Sequence, residues 1–211
     1  MTAVGIPAIA IAYLLGSIPF AYIVTRLLEG ADIRQLGDGN PGTANVMREV
    51  GIIPDLAVLL LDLGKGLLAV LVARWLGTDQ IIVLICGIAA VAGHMWSLFL
   101  GLRGGGGAAT TLGVFFALVP VEFSISFFIM AVTALLTRNF GFSVGVGLLP
   151  LPLILWAFGV DASLIIYSLV LTLLLTLRNG RDWPALLRKL AISAEWKEVI
   201  FKRKLRLRKK E

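Results

Sequence analysis

The feature that most constrains this chain is a series of long apolar blocks almost free of charge. Several exceed eighteen residues, the length that reads as a membrane span, and their apolar residues come as continuous runs rather than at amphipathic spacing. They fall near Ile6–Leu27, Ile53–Trp75, Ile81–Leu100, Ala108–Val119, Val121–Leu136, Phe140–Phe158 and Ala162–Leu177. Across the 211 residues, 58% are hydrophobic and only 15% charged, against about a quarter charged in soluble domains. The expected fold is all-α: a polytopic membrane protein with about seven transmembrane helices over residues 1–178, followed by a basic tail over 179–211. The fourth block is short. Pro120 and Glu122 suggest a turn before the fifth, and one long or kinked span is the alternative.

The charges support an odd span count. The segment from Arg178 to Glu211 carries twelve Lys/Arg and four Asp/Glu, so the positive-inside rule puts it in the cytoplasm and the N-terminus outside. The connections then alternate: those with Arg26, Arg34 and Arg48, then Arg103, then Arg138, fall inside, and those with Asp79, Glu122 and Asp161 fall outside, with Arg74 the positive exception. The first block lacks a positive n-region and a small-residue cleavage motif, so it is expected to be retained. The cationic end could attract anionic lipid headgroups; the plainer and favoured reading is a solvated topology signal.

A single cysteine, Cys86, and a single histidine, His94, leave no basis for a disulfide framework or a multi-residue metal site. The polar chemistry lies in five stretches. The connection Gly30–Gly51 reads GADIRQLGDGNPGTANVMREVG; glycines let backbone amides approach an anion, and Arg34 and Arg48 offer permanently charged forks. An ordinary loop with topological arginines explains the same composition. In GHMWSLFLGLRGGGGAATTLG, four glycines, Gly104–Gly107, feed a helix start beside Arg103, an arrangement suited to anions and equally to a flexible turn. His94 here is either a general base or a structural hydrogen-bonding histidine. In LDLGKG, Asp62 and Lys65 are three apart on one helix face and can pair, giving a neutral ion pair that orients neighbouring helices. TRNFGFS (Thr137–Ser143) and RNGRDW (Arg178–Trp183) close the set. All five gather on one membrane face, pointing to an inner-leaflet site for a phosphate-bearing substrate with room for an acyl chain.

In this order and spacing, GSIPFAYIV, DIRQLGDGNPGTANVMR, LDLGKG, GHMWSLFLGLRGGGG and TRNFGFS resemble the bacterial acyl-phosphate-dependent glycerol-3-phosphate acyltransferase family (PlsY type), over about Gly16 to Arg178. The resemblance implies an inner-membrane enzyme that moves a fatty acyl group from acyl phosphate to the 1-hydroxyl of glycerol 3-phosphate. It implies no metal or cofactor, no nucleic-acid partner, and membrane lipids as surroundings. Acyl phosphate is already a good electrophile, so the enzyme's task is positioning and charge stabilisation. The substrate-binding residues it implies are Arg34, Asn40, Asn45, Arg48, Arg103, Gly104, Gly105, Arg138, Ser143 and Arg178, with His94 and Asn45 as candidates for a catalytic role.

The chain also departs from the family's usual pattern. Asp38 stands where serine is usual, Gly106 where lysine is usual, Arg103 replaces a second lysine, and the family's closing motif becomes Arg178-Asn179-Gly180-Arg181-Asp182. Three of these changes each make the site about one charge less positive, and losing one contact to an ionised group costs roughly 1.5–3 kcal/mol. Three alternatives therefore accompany the main reading: an acyltransferase with a less anionic acceptor, a non-catalytic lipid-binding or scaffold protein, and a transporter. The last is ranked lowest, for want of inverted repeats.

Overall fold

Each apolar block is helical, and most breaks fall beside a proline or a glycine. The computed structural model describes residues 4–137 and 139–179. Arg138, Arg181 and the rest of the basic tail from residue 180 therefore lie outside the described residues. The helices are α1 (Gly5–Ser17), α2 (Phe20–Glu29), α3 (Thr43–Glu49), α4 (Ile52–Trp75), α5 (Gln80–Met95), α6 (Ala108–Leu118), α7 (Pro120–Thr137), α8 (Phe140–Leu148), α9 (Leu151–Ala157) and α10 (Ala162–Asn179). Among the described residues all regular structure is helical. A compact unit ends at Leu175, and a second begins at Thr176 within α10.

Six segments are long and apolar enough to cross a membrane: Gly5–Glu29, Ile52–Trp75, Gln80–Leu100, Pro120–Thr137, Phe140–Ala157 and Ala162–Asn179. The seventh, Ala108–Leu118, is shorter. Its 11 residues rise about 16 Å, roughly half of a hydrocarbon core. It ends at Leu118, two positions before Pro120, so the fourth and fifth blocks are separate helices joined at Val119 rather than one kinked span.

Three blocks are less regular than their composition suggests. The first is broken at Ile18–Pro19, because a residue before proline is driven out of the helical region; Ile18 is extended, with ψ 118°. The third ends its α-helix at Met95 and finishes in a short 3-10 turn over Leu98–Leu100. The sixth breaks between α8 and α9, next to Pro150. The connection 30–51 is folded too: a 3-10 turn at Ile33–Gln35 and the helix α3 pack Ile33 and Val46 against Ala21 and Val58.

Lipid removes most of the hydrophobic drive between helices, so close packing through small residues holds the bundle. Gly16 of α1 lies against the Ala90 carbonyl of α5, and Gly93 of α5 lies against the Tyr13 carbonyl of α1. The same reciprocal arrangement joins α4 and α6, where Gly66 meets the Thr110 carbonyl and Gly113 meets the Leu63 carbonyl. Larger side chains fill the space behind. Phe115 and Phe123 stack at 5.5 Å between centroids, and Leu148, Leu151, Leu155 and Leu171 are fully buried. Outward-facing apolar side chains such as Trp75, Ile53, Leu135 and Leu136 are at least 80% exposed. A surface of this kind fits lipid rather than water.

Candidate active site

The break in the first span starts the site. Ile18 leaves the helical region ahead of Pro19, and two side chains reach carbonyls at the turn, beside the Phe20 N–H that also donates to the Ile18 carbonyl. Ser97 Oγ donates to the Ser17 carbonyl at 2.5 Å, and Lys65 Nζ donates to the Ile18 carbonyl at 2.8 Å. Lys65 also sits 5.5 Å from the centre of the Phe20 ring. The α1–α2 break, α4 and the end of α5 thereby meet around a cleft. It is lined by Ser17, Ile18, Pro19, Phe20, Pro41, Asp62, Lys65, His94, Ser97, Leu100, Gly104 and Gly105.

Three of the five polar stretches of the sequence line this cleft, together with the Gly16–Val24 motif. From the connection 30–51 comes Pro41, and from LDLGKG the ion pair itself, with Lys65 Nζ 2.8 Å from Asp62 Oδ1 and both side chains buried. The glycine-rich stretch contributes His94, Gly104 and Gly105, and the Gly16–Val24 motif contributes the broken turn. The two loops are also joined directly, since Arg34 Nη1 donates to the Leu100 carbonyl at 3.5 Å.

The glycine turn works differently from a bare anion cradle. The amides of Gly104 and Gly105 donate to the carbonyls of Met95 and His94, both at 3.1 Å, so they satisfy the last turn of α5. A Cβ on Gly104 would collide with the His94 carbonyl, and one on Gly105 would meet His94 Nε2 and the Pro41 carbonyl. Their absent side chains let the turn pass between the histidine and the GNPG loop. Gly107, at φ 83°, starts α6 in a conformation that favours glycine. Just ahead of the turn, Leu102 holds φ 62°, in a region unfavourable for leucine. Arg103 follows it, exposed.

Both arginines of the connection 30–51 are held by aspartates. Arg34 donates from Nε and Nη2 to Asp32, at 2.7–3.1 Å, and lies 5.5 Å from the Tyr22 ring. Those hydrogen bonds hold the Asp32 carboxyl below the usual carboxylate range and push the Arg34 guanidinium above its own. Arg48 pairs with Asp38. Left-handed Gly37 and Gly39 flank Asp38, whose Oδ1 also accepts the Asn40 N–H at 3.0 Å. The residue that departs from the family's usual serine therefore sits on the arginine expected to bind phosphate.

The other candidate residues are more scattered. Asn40 is exposed at the loop tip. Asn45 is buried, and its amide donates to the carbonyls of Ile33 and Leu36 at 3.2 and 3.0 Å, tying the loop together. Ser143 is buried on α8, where its hydroxyl donates to the Asn139 carbonyl at 2.7 Å. Arg178 lies in the last turn of α10, in the second unit. Sequence reasoning passed over Ser17 and Ser97, whose part depends on a helix break that only Pro19 signals.

Known proteins resemble the chain along most of its length. The sequence model of the family "Glycerol-3-phosphate acyltransferase" matches residues 6–189. A glycerol-3-phosphate acyltransferase of Synechococcus sp. (strain CC9902) is 40% identical over 180 residues, covering 85% of this chain and 90% of that protein. Glycerol-3-phosphate acyltransferase 1 of Dehalococcoides mccartyi (strain ATCC BAA-2266 / KCTC 15142 / 195) is 38% identical over 203 residues, covering 90% and 97%. The crystal structure of PlsY, an integral membrane glycerol 3-phosphate acyltransferase, superposes in its glycerol 3-phosphate form with a TM-score of 0.82 at 32% identity, covering 89% of this chain and 94% of that one. Its lysophosphatidic acid form gives 0.80 at 30% identity, covering 89% and 93%. With a model match over nearly its whole helical region, and relatives and a solved fold alike along the same length, this chain belongs to the glycerol-3-phosphate acyltransferase family of integral membrane enzymes.

Proposed function

We propose that the chain transfers a fatty acyl group from acyl phosphate to the 1-hydroxyl of glycerol 3-phosphate, giving 1-acyl-glycerol 3-phosphate for phospholipid synthesis. The hydroxyl oxygen attacks the acyl carbonyl carbon, the bond from that carbon to the phosphate oxygen breaks, and the leaving phosphate accepts the hydroxyl proton. Such a reaction asks for phosphate-binding cations and rigid placement rather than a protein nucleophile. The observation that carries the reading is the docking of the arginine-bearing loop 30–51 on the loop ahead of Arg103 and the glycine turn, beside a cleft lined by Lys65, His94 and Gly105. In this reading Arg34, Arg48 and Arg103 face the cytoplasmic leaflet of a bacterial inner membrane. The N-terminus is outside and the basic tail over 179–211 is cytoplasmic.

Purified full-length protein with palmitoyl phosphate and glycerol 3-phosphate should release inorganic phosphate and form lysophosphatidate, detected by mass spectrometry. Absence of that product under conditions where the protein remains folded would reject the reading. One observation favours a second one. Asp38 already neutralises Arg48, so a less anionic acceptor such as a polyol or an amine would lose less by binding there. Offering glycerol 3-phosphate, glycerol and an amino alcohol at equal concentration separates the two: dominance of the phosphorylated product rejects the second reading.

A further inference from the structure

Arg74 is the positive exception among the connections that the charge pattern puts outside, and the structure gives it a contact. From the last turn of α4 its Nη1 donates to the Ala117 carbonyl of α6 at 2.7 Å. The last carbonyls of a helix have no partner within it. At this end Pro120 brings no N–H for Phe116. The Val119 N–H closes on the Phe115 carbonyl, and among the described residues it is Arg74 that serves Ala117. In a bilayer such a carbonyl has no water to turn to. A cation there also meets the partial negative charge of a helix C-terminus.

Contacts along the two helices show what this bond fixes. Gly66 lies against the Thr110 carbonyl and Gly113 against the Leu63 carbonyl. So α6 begins beside the middle of α4 and, running the same way, ends where Arg74 can reach it. The glycine turn leads into its start: Gly107 precedes Ala108, and Gly104 and Gly105 line the cleft with Asp62 and Lys65. Its 11 residues form a rod of about 16 Å with the cleft at one end and Arg74 at the other. Glycine contacts let the two backbones approach and set the distance between them. A directional bond at the far end sets where along its axis the rod stops. We infer that Arg74 is a positioning residue: by binding the Ala117 carbonyl it fixes the axial position of α6 against α4, and with it the glycine turn that lines the cleft. Its kinetic consequence rests on the acyltransferase reading.

Hydrogen–deuterium exchange on the full-length protein in detergent tests the placement without substrate. Arg74→Met keeps an apolar stem and removes the donor. Amides at both ends of the rod should then exchange about twofold faster or more, the effect of losing one hydrogen bond. These are Val119, which donates to Phe115, and Gly104 and Gly105, which donate to Met95 and His94. Peptides of α1 should keep their wild-type rates. Faster exchange at Val119 alone makes Arg74 a local cap and overturns the inference. So does unchanged exchange at both ends, or an equal acceleration that includes α1. Should Arg74→Met unfold, Arg74→Lys, which can still donate, should show the same two-ended pattern more weakly, and acceleration confined to Val119 overturns the inference there too.

Kinetics give a second arm. Arg74→Met should lower kcat/KM for glycerol 3-phosphate by at least about tenfold, since a misplacement of about 1 Å costs up to about 10² in rate. Arg74→Lys should restore most of that loss. A wild-type kcat/KM in folded Arg74→Met, or equal losses in the two variants, refutes positioning through the bond. A wild-type chain that makes no lysophosphatidate sinks the acyltransferase reading instead, and the exchange pattern still decides whether Arg74 places the turn.

Discussion

Replacing Asp38 with serine tests whether the Asp38–Arg48 pair competes with substrate. The pair is half in solvent, with side chains 48% and 53% exposed, so its strength is that of a surface salt bridge, about 0.2–1 kcal/mol. If the acceptor's phosphate must displace the carboxylate before taking the guanidinium, removing the carboxylate returns that energy to binding, and KM for glycerol 3-phosphate should fall about 1.4- to 5-fold. Serine is the right replacement because its hydroxyl can still accept the Asn40 N–H that Asp38 accepts now, which preserves the loop's turn. The reverse perturbation, Arg48→Ala, should lower kcat/KM by about ten- to 150-fold, the loss of one contact to an ionised group. The assay is initial-rate phosphate release with palmitoyl phosphate saturating and glycerol 3-phosphate varied. It should be run at 0.05 M and about 0.5 M salt, because the Asp38→Ser gain must shrink where exposed charges are screened. An unchanged or raised KM in Asp38→Ser, with activity still dependent on Arg48, would refute the competition.

Three other outcomes are expected. Gly113→Val should lower the melting temperature in detergent, because a Cβ there overlaps the Leu63 carbonyl at the α4–α6 contact; overpacking of this kind costs about 1–3 kcal/mol. Lys65→Met alone should destabilise more than Asp62→Asn and Lys65→Met together, since it leaves a buried carboxylate unpaired, a defect of about 3–5 kcal/mol; equal melting temperatures would count against a tight pair. For Asp32 the hydrogen bonds from Arg34 depress the folded-state pKa, so its contribution to stability is complete above the unfolded carboxylate's pKa of about 3.9 and is lost as pH falls through the depressed value. Carboxyl 13C titration should therefore show Asp32 ionised throughout the neutral range, and Arg34→Gln should move its midpoint up.

The succession of apolar helices was legible in the sequence because most spans are long apolar blocks. The Asp62–Lys65 pair was legible for a similar reason, since a three-residue spacing inside an apolar helix leaves few partners. The helix α3 was not, because seven residues carry too little periodicity to separate from a loop rich in glycine. The break at Pro19 was not read, since Ile6–Leu27 stood as one block, and its contacts with Ser97 and Lys65 join residues 80 and 47 positions apart. The glycine turn was read from composition as a source of free amides, whereas two of its amides close the end of α5. The Asp38 substitution was visible as a change of charge, and its contact with Arg48 needed the fold of the loop.

The interrupted first span carries a consequence for how the protein is made. A straight helix satisfies its own backbone and can enter a bilayer alone, but the carbonyls at Ser17 and Ile18 are completed by groups that emerge from the ribosome some fifty to eighty residues later. The N-terminal segment must then either wait unbroken or remain near water until α4 and α5 arrive. Fragments ending before Ser97 should accordingly fail to hold the bend, and stable insertion should begin only once that serine has been synthesised.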